Sequence, residues 1–168
     1  MNKEEQIMTG FWDLFSKRMW IDGVKMKSSL KGYNPSEVHC IAHIGANEEA
    51  NVTKLAEAFS MTRSAISKLT RKLMQKDLIE SYQKPDNKKE VYFKLTGQGQ
   101  AVYDIHESLH NEYHKRDQAV FEQVTEEQLH SILSFVELYS RHLDGEIEKM
   151  GLDIKAGDFD KLYMYQIS

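Results

Sequence analysis

The sequence predicts a mostly α-helical protein with one small β-hairpin, and three observations support this fold class. Two short helical patterns lie close together over residues 51–76, and two short strand-like patterns follow them over residues 80–95. Longer helical patterns occupy both ends of the chain. Two short helices joined by a tight turn and followed by a hairpin make a winged helix-turn-helix. We therefore predict a winged helix-turn-helix flanked by N- and C-terminal dimerisation helices.

Capping residues mark where the predicted helices begin. A short polar side chain ahead of an apolar periodic pattern satisfies the free N–H groups of the first helical turn. Thr125 also begins a capping box with Gln128. The predicted caps and helices are Ser36 for a helix to about Ile44, Asn51 for 52–59, Thr62 for 63–76, Thr96 for 97–122 and Thr125 for 126–149; residues 3–30 form the first helix.

Two short strands are expected after the second short helix. Residues 80–83 and 90–95 contain β-branched and aromatic side chains, and the turn-forming residues 84–89 lie between them. The breaks in the pattern divide the chain into four parts. These are an N-terminal dimerisation helix (1–35), a DNA-binding winged helix-turn-helix (36–96), C-terminal dimerisation helices (97–149) and a tail of unknown role (150–168).

The composition is typical of a globular protein. Of 168 residues, 40% are hydrophobic and 29% are charged. No run of eighteen apolar residues occurs, and residues 1–18 lack the features of a signal peptide. We therefore expect a cytoplasmic protein without membrane contact. The single cysteine, Cys40, excludes an intrachain disulfide, and its apolar neighbours favour a core position over a redox-sensing role.

The net charge of −4 is unevenly distributed along the chain. Residues 1–50 carry −1, residues 51–95 carry +5 and residues 96–168 carry −8. Binding to phosphate requires local rather than global positive charge. A helix rich in lysine and arginine can also be ordinary solvated surface, and composition alone does not separate these two interpretations.

The predicted helix that begins at Thr62 has two different faces. Its inner face is aliphatic, whereas its outer face groups hydroxyls and positive charges, as a helix in the DNA major groove requires. The hairpin adds a basic tip that can reach phosphates or the minor groove, although ordinary solubilising lysines would look similar. The predicted DNA-binding residues are Thr62, Arg63, Ser64, Ser67, Lys68 and Arg71 on the helix, and Lys84, Asn87, Lys88 and Lys89 on the hairpin.

The sequence resembles the MarR family of regulators over residues 10–148. Residues 51–56, 61–69, 78–80 and 95–99 carry the resemblance. It implies a dimer with two DNA-binding lobes that binds an inverted-repeat operator, usually as a repressor controlled by a small effector. The family's wing commonly contains Asp-Arg-Arg, where this chain has Asn87-Lys88-Lys89. The pair that braces the wing is therefore missing, and lysine is a poorer minor-groove reader than arginine.

The aromatic residues on the predicted first and last helices give the dimer independent support. The long terminal helix is marginal alone and must pack on something. A partner chain is the simplest cover for this much apolar surface, although packing within one protomer is the alternative. The aromatic residues concerned are Trp12, Phe15 and Trp20 in the first helix, and Phe135 and Tyr139 in the last.

Histidines at four-residue spacing indicate a candidate metal site. His106, His110 and His114 share one helix face, and His39 and His43 repeat the spacing on another helix. Imidazoles at this spacing can share a metal ion, but exposed helix histidines are often simply solvated.

A resemblance to the zinc-responsive uptake repressors of the MarR family narrows this set. It implies zinc ligation by His39, His106 and His110, completed by Asp22, Glu37 or water, because the family's N-terminal carboxylate has no aligned counterpart. The cysteine and glutamate of that group's second site are replaced here, near Lys27 and by Val38.

Two other function classes receive less support from the sequence. An enzyme would need a recognisable catalytic constellation, and the segment 97–99 has neither the further glycines nor the βαβ context of a phosphate loop. An acidic or apolar outer face on the helix 62–76 would favour a winged helix that binds protein and not DNA. The outer face of this helix is instead basic and carries hydroxyl groups. The sequence therefore predicts a DNA-binding transcriptional regulator, most consistent with a ligand-controlled repressor.

Overall fold

The computed structural model describes residues 2–151 and confirms the predicted fold class. Within this range the chain forms six helices and a three-stranded antiparallel sheet. Residues 152–168 of the predicted tail lie outside the described residues. The elements are α1 (Lys3–Ser29), α2 (Pro35–Ala46), β1 (Ala50–Asn51), α3 (Val52–Ala58), α4 (Arg63–Gln75), β2 (Ile79–Lys84), β3 (Asn87–Leu95), α5 (Gly97–Phe121) and α6 (Glu126–Lys149).

Four of the five predicted caps are confirmed, and one is wrong. The side chains of Asn51, Thr62, Thr96 and Thr125 each accept a hydrogen bond from a backbone N–H in the first turn of α3, α4, α5 and α6. Ser36 does not cap α2. Asn34 does so instead, because Pro35 fits the first helical position, where its missing N–H costs nothing.

The hairpin is longer and its turn shorter than the sequence indicates. Lys84 pairs with Asn87, so the turn itself contains only residues 85 and 86. The Gln83 side-chain amide donates to the carbonyl of Lys88 at 2.8 Å, which holds the tip. Asn87, Lys88 and Lys89 therefore lie on a strand and not in a flexible loop. The sequence also does not reveal β1, whose two residues pair with β3 and are too few to show alternation.

The hydrophobic core lies between α2, the helix-turn-helix and the inner face of the sheet. Ile41, Leu55, Ile66, Leu73 and Leu78 are all completely buried in it. Two of these residues belong to α4, so the inner face of that helix is anchored as predicted.

Cys40 is also a core residue, as expected. Burial raises the pKa of its thiol to about 12, so the side chain stays protonated and unreactive at neutral pH. A redox-sensing role for Cys40 therefore has no support from its surroundings.

The junction between the hairpin and α5 is very tight. A Cβ added at Gly99 would lie 1.8 Å from the backbone oxygen of Leu78, so only glycine fits there. The N–H of Thr96 donates to the same oxygen at 3.1 Å, and its hydroxyl donates to the Asp77 carbonyl at 2.6 Å. The start of α5 is thus held directly against the end of α4 and the start of β2.

The two terminal helices leave a broad apolar surface uncovered. Neither α1 nor α6 has a single buried residue, although Phe11 of α1 stacks on Phe135 of α6 at a centroid distance of 6.0 Å. No helix within residues 2–151 is long and apolar enough to cross a membrane. Exposed apolar residues on these helices include Ile7, Trp12, Phe15, Trp20, Val24, Ile132, Leu133, Val136, Tyr139 and Leu143.

Candidate nucleic-acid interface

Helix α4 presents a polar face to solvent while its other face is fixed in the core. Ile66 and Leu73 are completely buried, and the buried hydroxyl of Thr70 donates to the Ile66 carbonyl at 3.0 Å. The helix therefore cannot rotate without exposing this aliphatic face. Of the six predicted DNA-binding residues on it, Ser67 is half-buried, and Thr62, Arg63, Ser64, Lys68 and Arg71 are exposed.

Thr62 has a structural task besides any contact with DNA. Its Oγ1 accepts a hydrogen bond from the N–H of Ala65 at 3.2 Å and so caps α4. The hydroxyl hydrogen remains free to donate, because capping uses the oxygen as acceptor only. Thr62 therefore both begins the helix and offers a donor at its exposed end.

The basic residues of α4, its C-cap and the β2–β3 hairpin fall into two groups. One group forms ion pairs with acidic side chains of the protein, which reduces its attraction for an external anion. The other group forms no ion pair with any residue in the described range 2–151, and its charges are available to a ligand. The paired residues are Lys72, Lys76, Lys84 and Lys94, and the unpaired ones are Arg63, Lys68, Arg71, Lys88 and Lys89.

Lys84 differs from the other predicted hairpin contacts because it is engaged within the protein. Its Nζ forms an ion pair and hydrogen bond with Glu49 and lies 5.4 Å from the centroid of the Tyr92 ring. The hydrogen bond to Glu49 raises the pKa of Lys84, and the same bond lowers the pKa of Glu49. A phosphate would have to compete with Glu49 for this lysine.

The same contacts brace the wing in place of the missing Asp–Arg pair. Glu49 precedes β1 with a φ of 60°, so the Glu49–Lys84 pair ties the turn before β1 to the end of β2. The Tyr92 hydroxyl donates to Glu90 at 2.5 Å, and Lys94 pairs with Glu80 across the strands at 2.9 Å. Sequence reasoning missed Glu49, because a glutamate in a polar loop gives no signal of a partner 35 residues away.

The predicted histidine cluster is only partly assembled. The Nε2 atoms of His106 and His110 lie 3.1 Å apart, and the ring centroid of His39 is 6.2 Å from that of His106. His106 is buried, whereas His39, His110 and His114 are exposed. Burial and then the neighbouring His110 lower the pKa of His106, so that imidazole is neutral at physiological pH. His43 lies apart from them, against the ring of Phe59 at 5.5 Å.

The two carboxylates considered for this site have other partners. Asp22 accepts a hydrogen bond from Arg116 at 2.7 Å, and Glu37 pairs with lysines of α4. No group of three or more His, Cys, Asp or Glu side chains in the part of the chain that the structure describes is arranged to hold a metal ion. The zinc site at His39, His106, His110 and Asp22 therefore stays a prediction. In this arrangement Asp22 is hydrogen-bonded to Arg116 and the four side chains do not form a set of metal ligands.

Comparison with known proteins establishes the family. A model of the MarR family matches residues 33–91, from the connection before α2 into β3. The HTH-type transcriptional regulator PchR of Bacillus subtilis (strain 168) is 34% identical over 149 residues, which cover 80% of this chain and 88% of PchR. The protein belongs to the MarR family. The prediction of a transcriptional regulator and not an enzyme is thereby confirmed for this MarR protein.

Solved structures agree with the fold of this MarR protein. FabT of Streptococcus pneumoniae, determined in complex with DNA, superposes with a TM-score of 0.67 at 17% identity, covering 85% of this chain and 99% of FabT. The zinc-responsive MarR family member ZitR of Lactococcus lactis gives a TM-score of 0.57 at 21% identity, covering 66% and 76% of the two chains. At these identities the likeness concerns the fold alone.

Proposed function

We propose that this MarR regulator is a repressor that binds an inverted-repeat operator as a homodimer, with α4 in the major groove. The observation that carries the proposal is the outer face of α4. There, on a helix whose other face is buried, exposed cations that form no ion pair with residues 2–151 lie beside hydroxyls. Such a face suits direct readout of base edges.

The side chains on α4 have the chemistry that base reading requires. Arginine forms paired hydrogen bonds with guanine, and Arg63 and Arg71 are exposed and unpaired within the described residues. Ser64 and Ser67 provide short donors and acceptors near the start of the helix, where recognition helices approach base edges. Lys68 adds a charge on the same side. The internally paired Lys72 and Lys76 do not belong to this surface.

The wing contributes contacts to the DNA backbone. Lys88 and Lys89 are exposed on β3 next to the turn, and the hydrogen bond from Gln83 fixes the strand on which they lie. Charged groups on a rigid strand suit phosphate contacts, which set orientation without reading sequence. Asn87 is half-buried, and its Oδ1 accepts from the N–H of Lys89 at 3.1 Å, so it shapes the tip. Lys84 joins the contacts only if it leaves Glu49.

The homodimer is supported by the apolar surface of α1 and α6. Trp12 and Trp20 are 69% and 72% exposed, and Leu133 of α6 is 67% exposed. A large aromatic side chain contributes roughly 150–250 Å² when buried, so a few such residues fill much of a stable interface. We therefore assign residues 1–35 and 97–149 to dimerisation and residues 36–96 to DNA binding, in a protein that acts in the cytoplasm.

Control by a small ligand belongs to the proposal, with zinc as the ligand to test first. The approach of the His106 and His110 nitrogens and the nearby His39 support it. The test is titration of the metal-free protein with zinc while operator binding is followed. An unchanged affinity in both the wild type and His106→Ala would exclude zinc as the effector.

Selection from a pool of randomised duplexes tests the DNA-binding proposal. We expect an inverted repeat whose half-site centres lie about 10 bp apart, or a multiple of that spacing, because two recognition helices must meet the same side of the duplex. The double variant Arg63→Glu with Lys68→Glu should lose binding, whereas Lys149→Glu at the end of α6 should keep it. Retention of operator binding by the double variant would exclude the outer face of α4 as the DNA-binding surface. A wild type that selects no duplex would favour a winged helix that binds protein instead.

A further inference from the structure

Glu37, in the first turn of α2, is the one buried acidic side chain among residues 2–151. Its Oε1 lies 3.0 Å from Nζ of Lys72 and 2.9 Å from Nζ of Lys76. Its Oε2 accepts hydrogen bonds from Lys76 and from the N–H of Asn34, both at 3.0 Å. Oε1 has no well-directed hydrogen bond, so its contacts with the two lysines are ionic.

The ionised form of Glu37 depends on its contacts with the two lysines and with Asn34. Burial opposes its ionisation, but the hydrogen bonds from Lys76 and Asn34, together with the ionic contact with Lys72, outweigh burial, and the pKa of Glu37 lies below its usual value. Removing the partners of a buried charge is far more costly than breaking an ion pair in water. The geometry of the two lysines around Glu37 is therefore strongly constrained.

Both lysines lie at the C-terminal end of α4, the helix proposed to enter the major groove. Lys72 lies in the last turn of α4 and Lys76 is its C-cap residue, one turn further on. Lys76 also donates to the carbonyl of Gly32 at 3.4 Å and lies 5.6 Å from the centroid of the Tyr33 ring. The end of α4 is thus attached to α2 and to the connection that precedes it. The proposed DNA-reading side chains lie mainly towards the other end of the same helix.

We propose that Glu37 is a positioning residue for sequence recognition, which fixes the angle of α4 relative to α2 without touching DNA. The inference rests on the proposed function. A rigid helix pivots as a unit, so a fixed C-terminal end also fixes where Arg63 and Lys68 meet base edges. The pairing has a second effect, because it withholds Lys72 and Lys76 from phosphates and so limits binding that ignores sequence.

Loss of Glu37 should therefore affect the affinity for the specific sequence and the affinity for unrelated DNA differently, whereas a simple folding defect lowers both equally. A misplaced α4 loses base contacts, which depend on position, but keeps its attraction for phosphate, which does not. The two released lysines add to that attraction. A smaller folded fraction, in contrast, lowers the apparent affinity for every duplex by the same factor. The ratio of specific to non-specific affinity is consequently the informative measurement.

The experiment measures the affinity of the full-length protein for two duplexes of equal length by fluorescence anisotropy at one salt concentration. One duplex is the sequence that the wild type selects from a randomised pool, and the other is a scrambled version of it. The variants are Glu37→Gln, Lys76→Met and the charge-conserving Lys76→Arg. Glu137→Gln is the matched control, because the Glu137 side chain is 72% exposed, pairs with Arg141 one turn along α6 and is not one of the apolar side chains proposed for the dimer interface.

We expect Glu37→Gln to lower the ratio about tenfold, the cost of losing one well-placed base contact. Lys76→Met should lower the ratio less, since Lys72 remains, and Lys76→Arg and Glu137→Gln should retain it. A folded Glu37→Gln protein with the wild-type ratio overturns the inference. If circular dichroism finds Glu37→Gln unfolded, folded Lys76→Met decides, and an unchanged ratio there also overturns it. A wild type that prefers no duplex refutes the proposed function and the inference together.

Discussion

The unpaired cations allow the salt dependence of operator binding to be calculated. On α4 and the hairpin, each protomer offers five that form no ion pair with residues 2–151, namely Arg63, Lys68, Arg71, Lys88 and Lys89, so these surfaces of a dimer provide ten. Each phosphate contact contributes about −0.9 to the slope of log K against log salt concentration, so these residues together contribute at most about −9 to the wild-type slope. Lys88→Gln with Lys89→Gln removes four charges per dimer and should make the slope shallower by about 3.6.

This change is large enough for a clear assay. With a slope difference of about 3.6, raising the salt from 50 to 200 mM should lower the affinity of the wing variant by about two orders of magnitude less than that of the wild type. Fluorescence anisotropy with a labelled operator at five or six salt concentrations within this range measures the slope directly. Lys149→Gln on α6 is the control, and its slope should match the wild type. A slope for the wing variant within about one unit of the wild type would refute phosphate contacts by these lysines.

Three further predictions concern folding and assembly. Gly99→Ala should lower the free energy of unfolding by about 3 kcal/mol in urea denaturation, since its Cβ would overlap the Leu78 oxygen, whereas Gly97→Ala, which has open space, should change little. The native Cys40 thiol should resist labelling at pH 8, because its pKa is raised to about 12 and only the thiolate reacts; rapid native labelling would contradict its burial. Trp20→Glu should shift sedimentation from dimer to monomer, and an unchanged mass would remove α1 from the interface.

Local features of the fold could be read from the sequence because their causes are local. Asn51, Thr62 and Thr96 each cap a helix through an N–H three residues away, so the cap and the pattern lie together. The error at Ser36 arose because Asn34 and Ser36 flank a proline that suits the first helical position. The strand β1 contains two residues and exists only through pairing with β3, which is remote in sequence.

In the candidate site, too, the features with local causes could be predicted and the pairs between residues remote in sequence could not. The polar face of α4 follows from helical periodicity within one segment, so its residues could be predicted. The partners of Lys84 and Asp22 lie 35 and 94 residues away, and periodicity carries no information about such pairs. Glu37 appeared in the sequence as a spare carboxylate near the histidines, whereas its true partners are on α4, up to 39 residues away.

The tight junction at Gly99 makes α5 a lever for the DNA-binding lobe. Because Gly99 lies against Leu78 without space for even a methyl group, the lobe must follow any tilt of the helix that leaves it. With 25 residues, α5 is about 37 Å long. In the proposed dimer, a tilt of about 5° at the far end displaces the lobe by about 3 Å, close to the rise of one base pair. A tilt of this size in α5 is therefore sufficient to shift one DNA-binding lobe by about one base pair relative to its half-site in the operator.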